Sequence, residues 1–244
     1  MGEKMYIIGI VGRSYFNKDN QEIFQIHESI RRVLTKYDDV IPICLLPPED
    51  YDYHNSKMGK DIVNKDKLNY ILDKCDGFIV PGGTYFHNFD EHIINYAIKK
   101  DKPLLAICLG YQLMCSMFTK NRNKFDMTIR LKDNSHYGNS KKYLHEVNII
   151  KNTKLSKIVN KSCIPVNSVH KDAVTFKMNK LVINAVSDDG VIEGVEYPKR
   201  KFIIGLEWHP ECLFDEYSKL IFDSFIKTIK KKNLNDVNLV SWTK

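Results

Sequence analysis

Cys108, His209 and Glu211 are the residues of this 244-residue chain whose types and settings could carry nucleophilic chemistry. Cys108 closes the short apolar run 104–107. Gly110 follows two positions later, and a helix-compatible segment begins at once. That order reads as strand, tight turn, helix, with the cysteine at the apex. A side chain there is pushed out of the sheet, and the N–H groups of a helix start would favour its thiolate. Read alone, a cysteine ending an apolar run is more readily a buried structural thiol.

A nucleophilic cysteine needs a base, and the base needs an orienting group. His209 lies at the end of another apolar run, 203–206, in a polar cluster. Glu211, two residues on, is close enough to accept the second imidazole N–H, and Pro210 stiffens the turn between them. A single histidine is more often a satisfied surface or core residue. An acyl-transfer centre also needs two donors for the oxyanion. Gly83 has no side chain to block approach to its backbone N–H, and Leu109 supplies an N–H directly after the cysteine. On its own, Pro81-Gly82-Gly83 is an ordinary strand-ending turn.

These residues must be positioned by the elements around them. Continuous apolar runs at 6–11, 40–46, 77–80 and 104–107 predict strands buried on both faces. Helical spacing predicts helices over 21–37, 66–75 and 90–100. Such alternation argues for an open, mostly parallel sheet flanked by helices, with ligands bound beyond the carboxyl ends of its strands. The second half changes character. Residues 119–143 are polar and carry no clear pattern, so a lid there is left open. Short β-like runs follow at 145–150, 164–169, 173–176, 181–186, 191–197 and 202–206, adding a small antiparallel portion. A helix over 215–232 closes a single domain spanning 1–232, and 233–244 reads as a tail.

Composition sets limits. The length suits one well-filled domain, and the hydrophobic content of 43% is ordinary for a globular chain. No apolar run approaches the ~20 residues that cross a bilayer, so no membrane partner is expected. No signal peptide is read at the N-terminus. The six cysteines show no paired spacing and suggest reduced thiols in the cytoplasm. The net charge of +7 comes from scattered lysines, without aromatic interleaving, so nucleic acid is not expected. No histidine pair has metal-ligand spacing; His87 and His92 are five apart. No metal and no cofactor are expected.

Taken together, Pro81-Gly82-Gly83, Cys108-Leu-Gly-Tyr-Gln112 and Trp208-His209-Pro-Glu211, in that order, resemble the class I (triad-type) glutamine amidotransferases. The resemblance runs from about residue 6 to 230. Within that class the chain is similar to the peptidase C26 branch, the γ-glutamyl-γ-aminobutyrate hydrolase-like proteins. His145-Glu-Val147, Asn167-Ser168-Val169-His170 and Asp189-Gly-Val-Ile-Glu193-Gly-Val-Glu196 carry that narrower likeness.

The resemblance implies a flavodoxin-like α/β fold. It implies Cys108 as nucleophile, His209 as general acid/base, Glu211 as its orienter, and Gly83 with Leu109 as the oxyanion hole. Gly82, Gln112, Asn167, Ser168 and His170 would line the glutamyl pocket, although His170 could equally hold that loop. The implied activity is hydrolysis of a γ-glutamyl amide in a small molecule through a thioester on Cys108, with a homodimer as the assembly entertained. Two alternatives stand beside it: a glutaminase subunit feeding ammonia to a separate synthetase, and an inactive binding or regulatory homologue. Four departures bear on the substrate rim. The elbow reads Cys-Leu-Gly where this branch often has Cys-Arg-Gly. The glycine pair after the elbow helix is missing, the loop after Gly83 is short, and Lys171-Asp172 follows His170.

Overall fold

The computed structural model describes residues 4–47, 65–84, 87–119, 128–174 and 178–241, the last ten of these as backbone alone. The first half consists of β1 (Tyr6–Val11), β2 (Arg13–Phe16), β3 (Glu22–Gln25), α1 (Glu28–Leu34), β4 (Val40–Leu45), α2 (Lys65–Lys74), β5 (Gly77–Val80), α3 (Asn88–Lys100), β6 (Leu104–Ile107) and α4 (Leu109–Met117). The second contains β7 (Thr128–Arg130), β8 (His145–Ile149), α5 (Lys154–Val159), β9 (Cys163–Val166), β10 (Asp172–Val174), β11 (Val182–Ser187), β12 (Ile192–Glu196), β13 (Ile203–Leu206), α6 (Pro210–Leu213) and α7 (Glu216–Ser241).

One nine-stranded sheet runs in the order β4-β1-β5-β6-β13-β12-β11-β8-β9. Its first five strands are parallel: β4, β1, β5 and β6, as the strand-helix alternation predicts, and also β13, whose run was expected in the antiparallel portion. The last four continue the same sheet antiparallel. The strands of the parallel half alternate between two cores. On β6, Leu105 and Ile107 join a cluster with Ile30, Leu34, Leu155 and Phe225, the buried faces of α1, α5 and α7. Leu104 and Ala106 point the other way, into a cluster with Leu72, Ile93 and Leu113 from α2, α3 and α4. Period-two alternation in a strand wholly buried on both faces therefore builds a three-layer α/β/α body.

Three boundaries differ from expectation. The helix predicted over 21–37 begins only at Glu28. Residues 22–25 instead pair antiparallel with 13–16 as a hairpin. The turn chemistry at 17–21 decides this: Asn17 Oδ1 accepts the backbone N–H groups of Asp19 and Gln21 at 3.0 and 2.9 Å, and Asn20 takes a positive φ of 59°. The run expected at 173–176 is β10, which pairs with β7 in a separate two-stranded sheet; residues 175–177 lie outside the described residues. The last helix continues from the expected end at 232 to Ser241, over a stretch with neither Gly nor Pro to stop it. Of the unassigned segment 119–143, residues 120–127 lie outside the described residues. Residues 128–130 form β7, and Tyr137 bridges to Val169.

Candidate active site

Four neighbouring parallel strands, β1, β5, β6 and β13, deliver the candidate residues to one edge of the sheet. Arg13 follows β1, Pro81-Gly82-Gly83 follows β5, Cys108 follows β6, and His209 lies three residues past β13. Cys108 has φ 49° and ψ −110°, a left-handed conformation that costs a non-glycine residue ~1–3 kcal/mol. The surrounding structure enforces it. The Cys108 N–H donates to Leu206 O at 2.8 Å, and the Gln112 N–H donates to Cys108 O at 2.9 Å as α4 begins. Gly110 lets that helix start press against β5. A Cβ there would lie 2.2 Å from the Val80 carbonyl oxygen, so only glycine fits.

The Cys108 thiol is partly exposed and lies beside the His209 ring, both packed on Gly82, and its sulfur favours the charged imidazole. On the other side, His209 Nδ1 lies 2.7 Å from Glu211 Oε1, and the Glu211 carboxylate is fully buried. Burial alone pulls the His209 pKa down, but the Glu211 charge and the Cys108 sulfur outweigh it. The net shift is well above the usual imidazole range, which favours the charged ring. Asn167 fixes the His209 backbone from both sides. The His209 N–H donates to Asn167 Oδ1 at 2.9 Å, and Asn167 Nδ2 donates to His209 O at 2.8 Å and also to Ser140 O.

The glycine turn packs onto this constellation. A Cβ at Gly82 would lie 2.9 Å from His209 Cε1 and 3.4 Å from Cys108 Cβ. One at Gly83 would lie 3.1 Å from Leu109 Cδ2, so the two expected oxyanion donors belong to adjoining residues. Arg13 holds the turn from behind. Its Nε donates to Gly82 O at 3.0 Å and its Nη2 to Pro81 O at 2.6 Å, while Nη1 pairs with buried Asp90. Neither Arg13 nor Asp90 was singled out from sequence. The available signal was an arginine directly after the Gly12 that ends the first strand.

The residues expected to line the glutamyl pocket make contacts of their own. Gln112 Nε2 donates to Glu207 Oε1 at 2.6 Å. Glu207 is fully buried, and burial together with the nearby Cys108 and Glu193 pushes its carboxyl well above the usual range. The Asn167 amide is spent on His209 and Ser140. Ser168 is buried, with Oγ donating to His136 O at 2.6 Å. His170 is buried too, with Nδ1 3.0 Å from Asp172 O and Nε2 3.3 Å from Glu193 Oε1. Asn167, Ser168 and His170 thus brace the loop behind His209. His170 also gathers with His136, His145 and Glu193. Metal-ligand clustering, unexpected from sequence spacing, arises because four distant segments converge. All six cysteines are free, and among the described residues no helix is long and apolar enough to cross a membrane.

The family model for Peptidase C26 matches residues 85–211. A glutamine amidotransferase-like protein of Rickettsia prowazekii is 28% identical over 228 residues, which cover 68% of this chain and 81% of that protein. The γ-glutamyl-γ-aminobutyrate hydrolase of Escherichia coli is 29% identical over 191 residues, covering 65% of this chain and 74% of that enzyme. Among solved structures, the glutaminase domain of a Trypanosoma brucei CTPS with bound acivicin superposes with a TM-score of 0.66 at 20% identity. That match covers 93% of this chain and 94% of the domain. A family match over more than half the chain, on the fold of class I glutamine amidotransferases, makes this chain a member of the peptidase C26 family.

Proposed function

We propose that this protein is a cysteine-dependent hydrolase of γ-glutamyl amide bonds, with residues 1–232 acting as one catalytic unit. The observation that carries the reading is the His209–Glu211 pair set beside Cys108, which sits on a strained elbow at the carboxyl edge of the sheet. The likeness to a γ-glutamyl-γ-aminobutyrate hydrolase supports the substrate class.

The reaction follows from the arrangement. The Cys108 thiolate attacks the γ-carbonyl carbon, and the oxyanion that forms accepts hydrogen bonds from the Gly83 and Leu109 N–H groups. As the tetrahedral adduct collapses, His209 gives its Nε2 proton to the departing amine, leaving a γ-glutamyl thioester. Neutral His209 then takes a proton from water as the water attacks that thioester. Glutamate leaves, and the thiolate-imidazolium pair is restored. Glu211 accepts the Nδ1 hydrogen throughout and keeps the ring in one orientation. Gly82, backed by Arg13, holds the turn flat against His209.

A second reading, a glutaminase that passes ammonia to a separate synthetase, draws on the amidotransferase-like Rickettsia relative and the Cys-Leu-Gly elbow. The test is a substrate panel of γ-glutamyl amines, γ-glutamyl peptides and glutamine, with parent and Cys108→Ser proteins. The expected result is turnover of γ-glutamyl amines by the isolated chain and a loss of at least ~10³-fold in the variant. Slow glutamine turnover stimulated by a synthetase would favour the second reading. No turnover, with a Cys108 no more reactive than Cys44 or Cys115, would leave only a binding or regulatory role.

A further inference from the structure

His136, His145, His170 and Glu193 come from four separate segments: the loop after β7, the start of β8, the loop after β9, and β12. Their ligand-capable atoms all lie within 4.8 Å of one another. Glu193 is fully buried, and His136 and His170 nearly so. Glu193 Oε1 lies 2.9 Å from His136 Nδ1, 3.3 Å from His170 Nε2 and 3.7 Å from His145 Nε2. None of these four atoms, nor Glu193 Oε2, makes a hydrogen bond of acceptable geometry. Buried polar atoms are normally paired, so five unpaired ones meeting at one point require an explanation.

The outward nitrogens supply it. His136 Nε2 lies 2.9 Å from Asp189 Oδ2, His145 Nδ1 lies 3.1 Å from Glu146 O, and His170 Nδ1 lies 3.0 Å from Asp172 O. An ionised carboxylate and two carbonyls can only accept, so each outward nitrogen carries the hydrogen. The outward hydrogens leave the inward nitrogens, His136 Nδ1, His145 Nε2 and His170 Nε2, directed at one Glu193 oxygen. A proton on His136, set between Asp189 and Glu193, would pair one inward nitrogen and still leave those of His145 and His170 without a partner, whereas a cation among the four serves them together. Protonating the rings would set imidazolium beside imidazolium, at centroid separations of 4.4 and 4.9 Å. A single divalent ion satisfies every lone pair at once. Hydrogen-bonded outer nitrogens that fix the tautomer are also the usual surroundings of metal-bound histidine.

We propose that His136, His145, His170 and Glu193 form a structural site for a divalent transition metal, zinc foremost. Three imidazoles and one carboxylate match the donor preference of zinc. A tetrahedron whose corners lie ~2.0–2.1 Å from its centre has edges of about 3.3–3.4 Å, and the three Glu193 separations span that length. Four protein ligands leave no open position, so the role is to hold structure. The ion ties the 167–170 loop, which clamps His209 through Asn167, to β12 and to the 136 loop. It lies behind the candidate active site: the Glu207 N–H donates to Glu193 O at 2.7 Å, and Glu207 in turn receives Gln112.

The test loads full-length Cys108→Ser protein with zinc, removes excess by desalting, and measures bound metal; the serine keeps the reactive thiol from competing. The expected result is about one zinc per chain, reduced at least tenfold in His145→Ala and Glu193→Gln and unchanged in Cys212→Ser. Absence of retained metal, or metal retained in the first two variants, would overturn the proposal. In case those variants fold poorly, cobalt(II) is added to the Cys108→Ser chain itself. The proposal requires the intense visible bands of a four-coordinate ion without a thiolate charge-transfer band. A weak octahedral spectrum, or a thiolate band, would contradict it.

Discussion

At the scale of single residues, Glu211 matters through what its charge does to His209. The carboxylate favours the charged imidazole, and His209 is held well above its usual pKa despite burial. In Glu211→Gln that influence is gone while the shape remains. The imidazolium that protonates the leaving amine should then be lost at lower pH. The alkaline limb of the kcat/KM profile should move to lower pH, with kcat falling at least ~100-fold. An unmoved limb would mean that Glu211 does not set the state of His209. Cys108, His209 and Glu211 were legible in the sequence because two short segments concentrate them. Arg13 was not. Its partners, the carbonyls of 81 and 82 and the carboxylate of Asp90, are 68 to 77 residues away, and only the adjacency of β1 and β5 brings them together. The histidine-glutamate cluster was hidden for the same reason, since its members lie on four segments with no repeating interval.

At the scale of elements, the β6-α4 elbow stands or falls with Gly110. Any Cβ there meets the backbone of β5 at 2.2 Å, and backbone cannot turn aside as a flexible side chain would. Gly110→Ala should therefore lower stability by ~1–3 kcal/mol, read from the urea midpoint. By tilting the helix start that carries Cys108 and Leu109, it should also cut kcat/KM by at least ~100-fold. Retained activity would show that the elbow tolerates a shifted helix. The parallel strands were readable as uninterrupted apolar runs, because burial on both faces leaves no polar alternation. Strand β3 was misread as the start of a helix because Ile23 and Ile26 also fit a helical interval. The Asn17 turn overrides that local pattern by pairing residues 13–16 with 22–25.

At the scale of the whole molecule, one sheet serves two purposes. Its parallel half presents the candidate triad, and its antiparallel half carries Glu193 and the strand beside the loop that braces His209. Of the helices, α4 and α6 carry Leu109 and Glu211 of the candidate site, while α7 contributes packing. Phe225 of α7 is fully buried against Phe202, with ring centroids 5.4 Å apart, and packs at the start of β5, where a Cβ on Gly77 would lie 3.2 Å from its ring. Phe225→Ala should cost ~3–5 kcal/mol, seen as a lower urea midpoint, and should leave the pH profile of the remaining folded enzyme unchanged. A changed profile would mean that α7 packing reaches the triad. The layered architecture was legible from strand-helix alternation. The continuous run of four antiparallel strands was not, because short β-like segments do not reveal which edge they join.

Everything in the proposed reaction passes through a γ-glutamyl thioester on Cys108. The direct measurement is acid quenching during turnover of a γ-glutamyl amine, followed by mass analysis of the intact chain and its peptides. The expected result is a chain heavier by one γ-glutamyl group, with the adduct on Cys108, lost on treatment with hydroxylamine and absent in Cys108→Ser. Turnover with no adduct when deacylation is slowed at low pH, or an adduct on another residue, would contradict Cys108 as the nucleophile.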